Sequence, residues 1–287
     1  MNSAETLSKV PGYLFATTKK GIRSYSANGA RQSFGVAEEL PVTVETKFDL
    51  ASLTKIVGTT ASLLHLIELG ELQVTDLACK YLEPWQGTDK SEITIAELLL
   101  HQSGLAEWRP LYFTDDLQEN VAKQISRIPL TYPRNSGRRY SDLGFISLGE
   151  IIKAITKKDL TAAFTELVFN PLGMQNTSFA PVTGEVAATS LGDWYEKNMV
   201  ATNTPYKVDL DVSSFSNWRE EYLVGQTNDG NSFHRLNGIA GHAGLFSTAE
   251  DLLIFAEAVI ANKWQAHSFL AITGDPMQGL GFRNWRV

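Results

Sequence analysis

The stretch KFDLASLTKIVGTTASLLHLIELG, residues 47–70, decides how this chain reads. Lys47 to Leu50 is extended in character. From Leu53 the apolar side chains fall at Leu53, Ile56, Val57, Leu63, Leu64 and Ile67, close to helical spacing, and Gly70 supplies a stop. A helix of about 18 residues with so little polar face is expected inside the domain rather than on its surface. Ser52 stands where the extended segment meets this helix, and Lys55 follows three residues later on the same face. It is the only serine-x-x-lysine in the chain. Standing alone, such a pair is equally well a capping serine beside a solvated lysine. In this setting the helix amino terminus offers partial positive charge and unpaired N–H groups to a developing oxyanion. Burial is expected to depress the Lys55 pKa and so make it a base for Ser52.

Upstream, Tyr13 to Thr18 and Gly21 to Tyr25 flank Lys19-Lys20, and a third extended run near Phe34 to Val36 completes an expected antiparallel meander. Downstream, helices are predicted over Ile95–Leu100, Leu117–Ile128, Leu143–Ile155 and Leu160–Val168. Asp193 to Asn237 has weak periodicity and reads as a long irregular connection of the kind that often carries function. A last helix, Ala249–Ala261, starts from Ser247 or Thr248, with Glu250 three residues after Ser247 as in a capping box. Strands first and helices after them suggest an α+β or α/β core with a helical insertion.

Composition narrows the function. The 287 residues are 43% hydrophobic and 20% charged, which excludes a disordered chain. Basic residues number 25 and acidic ones 32, net −7, with one local basic cluster, Arg134, Arg138 and Arg139, so nucleic acid is not an expected partner. The single cysteine, Cys79, cannot form an intrachain disulfide or a thiolate cage and reads as inert. The five histidines show no short ligand spacing, so no metal site is expected. Met1 to Lys9 lacks the apolar core of an export signal and no segment is long enough to span a membrane, which points to a cytoplasmic location.

No G-x-S-x-G elbow, H-E-x-x-H, P-loop or G-x-G-x-x-G occurs. A second constellation does: Pro133-Arg-Asn-Ser-Gly137-Arg-Arg-Tyr140-Ser141-Asp142-Leu143-Gly144-Phe145, a turn-rich approach that presents a tyrosine just before an apolar helix. Together with Ser52-Leu-Thr-Lys55 it resembles the serine β-lactamase and penicillin-binding-protein superfamily, in its class C-like branch of D-alanyl-D-alanine carboxypeptidases and serine esterases. Further matches fall in order at Glu97-Leu-Leu-Leu-His101-Gln-Ser103-Gly104-Leu105, Asn170-Pro171-Leu172-Gly173-Met174 and Gly244-Leu245-Phe246-Ser247-Thr248-Ala249-Glu250-Asp251-Leu252. The run from Asn228-Asp229-Gly230-Asn231 to Gly238-Ile-Ala-Gly241-His242-Ala243-Gly244 is similar to the esterase-type subgroup.

The resemblance implies an α+β fold: an antiparallel sheet flanked by helices, with a mostly helical subdomain. In a single domain over 1–287, the α/β part would take about 5–70 and 238–287 and the helical part about 71–237. It implies Ser52 as nucleophile, Lys55 and Tyr140 sharing the proton traffic, an acyl-enzyme, and no cofactor. The Ser52 N–H would form half of an oxyanion hole. The three arginines would hold Tyr140 as phenolate or bind a substrate carboxylate, or else form a solvated cluster. Asp142, Asn228, Asp229, Asn231 and His242 are the expected substrate contacts. His101, Ser103 and Gly104 read as a packed turn beside the site, and Trp194, Tyr195, Trp218 and Tyr222 as cleft lining or core.

Two departures matter. Relatives usually carry an amide or hydroxyl where this chain has Asp142, and an ionised carboxylate cannot donate to a substrate carbonyl, which argues against efficient β-lactam turnover. The third motif, Lys or His then Thr or Ser then Gly on a strand, is not found. His242-Ala243-Gly244 runs directly into the helix at Ser247 rather than along a strand, and Gly279-Leu280-Gly281-Phe282 is followed by five residues. The chain is therefore expected to stop before the last sheet strands, leaving an unpaired edge open to self-association and activity weak or absent. The expected function is a serine hydrolase of small esters or D-amino-acid peptides; the alternatives are a non-catalytic ligand-binding relative and an acyltransferase.

Overall fold

In a computed structural model, residues 10–270 and 278–282 are described. Strands β1 (Gly12–Lys19) and β2 (Ile22–Gln32) form a hairpin whose register ends at Lys19 opposite Ile22. The two turn residues, Lys20 and Gly21, both have positive φ, the tight turn whose twist matches that of paired strands. The third strand of the meander, β3 (Leu40–Pro41), lies later than the expected Phe34–Val36. Residues 34–38 bend instead, and Phe34 stacks on Tyr222 at 5.1 Å between ring centroids. That contact, remote in sequence, overrides the local extended preference.

A second sheet joins distant parts of the chain. Strands β4 (Phe48–Asp49) and β5 (Ser178–Phe179) flank a later strand, Leu245–Ser247, both antiparallel to it. A third sheet pairs β6 (Ala188–Leu191) with β7 (Tyr222–Val224). With Leu245–Ser247 named β8, these small antiparallel sheets and the helices packed on them make an α+β fold.

The segment after β4 is helical from Ala51 to Glu68 but changes pitch: a 3₁₀ turn over Ala51–Leu53, a wider π turn over Lys55–Thr60, then an α-helix over Ala61–Glu68. Leu63, Leu64 and Leu66 are buried, as expected for a helix with so narrow a polar face. Gly58 lets Phe164 lie against the backbone, because a Cβ there would fall 2.2 Å from that ring. Around this run pack the helices Asp142–Thr156 and Leu160–Phe164, the latter continuing as a π turn through Phe169.

Sequence signals place most helix starts. Thr94 and Glu97 form a capping box at Ile95–Leu99, and Ser141 accepts from the Gly144 N–H at the start of Asp142–Thr156. The helix predicted over Leu117–Ile128 is shorter, Val121–Ser126, because Asn120 caps it. Thr248, not Ser247, caps Ala249–Ile260, accepting from the Asp251 N–H; Ser247 belongs to β8. Asp193 to Asn237 is not one irregular connection. It holds a helix over Trp194–Thr202, strand β7 and a π turn over Asn231–Arg235. The helix carries no apolar stripe, since only Met199 and Val200 are buried, and so gave no periodic signal. Cys79 is half-buried, with its thiol donating to the Ser91 carbonyl at 2.9 Å. Among the described residues no helix is long and apolar enough to cross a membrane.

Candidate active site

The turn that carries Ser52 is built by its neighbours. Ala51 sits at φ +44°, a region costly for an L-residue. Asp49 holds it there: one carboxylate oxygen accepts from the Ala51 N–H at 2.8 Å and the other from the Asn228 N–H at 2.8 Å. Burial raises the Asp49 pKa, working against these hydrogen bonds. The Leu50 N–H donates to the Leu245 carbonyl at 2.8 Å, and the Leu245 N–H donates to Thr54 Oγ1 at 3.2 Å. The nucleophile turn is thus fastened to β8. His242-Ala243-Gly244 therefore does lead into a strand, contrary to the sequence expectation; β8 is three residues long and ends at the helix cap, so it was read as the approach to that helix.

Lys55 is 3% exposed, and its ammonium donates to Ser52 Oγ at 2.9 Å and to the His242 carbonyl at 3.2 Å. It lies 2.7 Å from Asp142 Oδ1 and 4.8 Å from the centre of the Tyr140 ring. These positions correct the expected depression of the Lys55 pKa. Burial does push it down, but attraction to Asp142 and then Tyr140 outweighs burial, and the net direction is upward. Lys55 is held as a cation. Desolvation alone is visible locally, because nothing near Lys55 in the sequence marks Asp142, 87 residues away, as its counter-ion.

Tyr140 lies against His101 with the rings tilted and their centroids 4.6 Å apart, and His101 in turn lies against Phe145. His101 is buried, its Nδ1 accepting from the Ser141 N–H at 2.9 Å. Desolvation, then the charges of Arg138 and Lys55, hold its pKa well below the ordinary imidazole range, so it stays neutral. The basic cluster divides. Arg134 pairs with Glu97 and Glu92, Arg138 reaches Gln278 Oε1 at 2.7 Å and lies over the Tyr140 ring at 5.4 Å, and Arg139 lies over Tyr132.

Beside Ser52 opens a cavity of about 140 Å³ lined by Ala51, Ser52, Tyr195, Glu196, Asn228 and Asp229, among others. Asp229 Oδ1 accepts from His242 Nε2 at 2.8 Å, and His242 Nδ1 is buried with no hydrogen-bond partner among the described residues. Burial would raise the Asp229 pKa, but His242, a hydrogen bond from the Ser232 N–H at 2.7 Å and Lys55 bring it down to about 2. Asn231 is buried with both ends of its amide engaged, accepting from the Leu111 N–H and donating to the Arg109 carbonyl; it holds loops together and does not line this cavity. Trp194 is 68% exposed, whereas Trp218 packs among Tyr112, Phe113 and Phe215.

Three acidic residues of this region escaped the sequence reading. Asp49 shapes the turn. Asp193 binds Arg219 at 2.6 Å and His234 at 2.8 Å; burial opposes ionisation, but those hydrogen bonds hold its pKa at about 2. Glu196 accepts from the Gly230 N–H at 2.7 Å and lies 2.8 Å from the Tyr112 hydroxyl, and burial and the charge of Asp229 raise its pKa to about 8. The available signal was Gly230: a Cβ there would fall 2.3 Å from Glu196 Oε2. Among the described residues no group of three or more His, Cys, Asp or Glu is placed to hold a metal ion.

A serine, a buried lysine and a tyrosine gathered at the edge of a small sheet are the arrangement of the serine β-lactamase and penicillin-binding-protein class. The chain belongs to the Beta-lactamase family, whose profile matches residues 3–280. It is 28% identical over 269 residues to an N-acetylmuramyl-L-alanine amidase of Bacillus subtilis, covering 87% of this chain and 59% of that protein. It is 30% identical over 242 residues to an Escherichia coli K12 protein provisionally named a D-alanyl-D-alanine carboxypeptidase, covering 78% and 54%. The chain thus spans little more than half the length of these relatives. Among solved structures, D-alanine carboxypeptidase AmpC from Burkholderia cenocepacia superposes with TM-score 0.70 at 19% identity, over 97% of this chain and 70% of that one. A class C β-lactamase from Rhodobacter sphaeroides gives 0.63 at 18%, over 90% and 64%. These likenesses support the β-lactamase/transpeptidase-like fold.

Proposed function

We propose that this protein is a serine hydrolase that acts through an acyl-enzyme on small esters or D-amino-acid peptides. The observation that carries the reading is the contact of the buried Lys55 with Ser52 Oγ at 2.9 Å, with the Tyr140 ring against the same ammonium at 4.8 Å. Because Asp142 keeps Lys55 charged, the lysine is not the resting base. Tyr140 takes the proton as Ser52 Oγ attacks the acyl carbon, with the Lys55 ammonium beside both groups. Tyr140 then returns the proton to the leaving alcohol or amine as the carbonyl re-forms, giving the Ser52 ester. Water attacks that ester, passes its proton to Tyr140, and the acid leaves with Ser52 Oγ reprotonated. The Ser52 N–H faces the developing oxyanion, a contact worth ~3 kcal/mol in comparable sites. Asn228 and Asp229 border the substrate space, His242 lies behind them against Asp229, and Asp142 takes part by fixing Lys55.

A fluorophosphonate probe, with fluorescent penicillin beside it, tests this reading. Labelling that is lost in Ser52→Ala and strongly reduced in Tyr140→Phe is expected. A folded protein that no probe labels would reject the hydrolase, and the ion-paired lysine would then favour a relative that binds such ligands without turning them over.

A further inference from the structure

We propose that the cavity beside Ser52 selects acyl compounds that carry an ammonium group close to the scissile bond, with Glu196 and Asp229 receiving that group. The inference rests on the reading of Ser52 as the reactive residue and adds the charge of its substrate. The described residues that line the cavity include Asp193, Glu196 and Asp229 but no lysine, arginine or histidine. The cations nearby are already engaged: Arg219 with Asp193 and Lys55 with Asp142. Asp193 is consumed by that pairing and by His234. Asp229 is held by the ring of His242 and the Ser232 N–H, neither of them a lysine or arginine, and Glu196 has neutral partners alone, the Gly230 N–H and the Tyr112 hydroxyl. A carboxylate on an incoming ligand would meet acidic groups with no free cation, whereas an ammonium would meet unspent negative charge.

The volume agrees. At about 140 Å³ the cavity has room for a small amino-acyl fragment beside Ser52. Glu196 is also built in. Only a glycine at 230 allows its carboxyl to lie so close to the backbone. Burial and the charge of Asp229 favour the protonated form of Glu196. An ammonium placed between the two acids offsets both causes by its attraction, so Glu196 ionises as the ligand binds and a proton leaves to solvent.

The test compares D-alanine p-nitroanilide, its N-acetyl derivative and its N-succinyl derivative, which carry +1, 0 and −1 on the acyl side with one leaving group. Turnover is expected to fall in that order. The ratio of the first to the third should shrink by at least ~10-fold in Glu196→Gln, since close charge pairs across interfaces couple this strongly; taking the ratio within each enzyme cancels differences in intrinsic reactivity. Binding supplies a readout independent of chemistry and of the variant's folding. D-alanine amide should bind wild-type protein and Ser52→Ala at least ~10-fold more tightly than N-acetyl-D-alanine amide by calorimetry, with a buffer-dependent heat that reports the released proton. If the ammonium ligand shows no advantage in binding, or the succinyl compound is turned over best, the inference is overturned. If p-nitrophenyl acetate and all three anilides are untouched while the binding preference stands, the hydrolase reading fails and the charge selectivity survives.

Discussion

Replacing Asp142 by Asn probes the pair on which the site depends. Lys55 is almost wholly buried and remains a cation because Asp142 lies 2.7 Å away. Removing one partner of a buried ion pair costs ~3 kcal/mol or more, because the remaining charge stays desolvated. The substituted protein relieves part of that cost by letting Lys55 lose its proton, so its pKa in the folded state drops below the unfolded value of about 10.4. The two proteins then respond to pH in opposite senses. In the wild type the folded pKa lies above the unfolded one, so the stabilisation from Lys55 is complete below about pH 10.4 and is lost as pH rises further. In Asp142→Asn the folded pKa lies below it, so stability grows as pH rises from neutrality toward about 10.4. At ~2 °C per kcal/mol for a chain of this size, the melting temperature should fall by ~6 °C at pH 7, and the gap should narrow toward pH 10. Thermal unfolding of both proteins from pH 6 to 10 measures this, with the difference between them isolating Lys55 from other titrating groups. Equal melting temperatures, or a gap independent of pH, would refute the claim that Asp142 maintains the lysine charge.

Other consequences can be measured as simply. Gly58→Ala should destabilise the fold by ~1–3 kcal/mol in urea despite alanine's better helix propensity, since the new methyl meets the Phe164 ring, and Phe164→Leu in the same chain should recover part of the loss. Thr94→Ala removes the side-chain cap at Ile95–Leu99 and should cost ~1 kcal/mol, read from the urea midpoint. Asp49→Ala frees the amides of Ala51 and Asn228, so labelling of Ser52 by a fluorophosphonate should slow by more than ~10-fold while the far-ultraviolet circular dichroism stays unchanged.

The parts of this architecture that were legible in the sequence are those whose signal is local and periodic. The buried run after Leu53, the hairpin about Lys20-Gly21 and the helix Asp142–Thr156 each carry their pattern within a few turns. Ser52, Lys55 and Tyr140 could be singled out because their motifs are compact, and Lys55 lies against both Ser52 Oγ and the Tyr140 ring. What was not legible depends on partners remote in sequence. β8 is too short to show alternation, Trp194–Thr202 is polar on nearly every face, and the charge of Lys55 is decided by a carboxylate 87 positions away. Glu196 lay in a segment without periodicity, and its role emerges only once Gly230 and Asp229 are packed against it.

The lysine's third contact, with the carbonyl of His242, spans 187 positions, and the amide of Leu245 reaches back 191 to Thr54. Loops that long close late, after the helices between them have formed. A refolding chain should therefore recover its helical spectrum well before it can be labelled at Ser52, and the interval between those two signals times the docking of the two ends of the molecule.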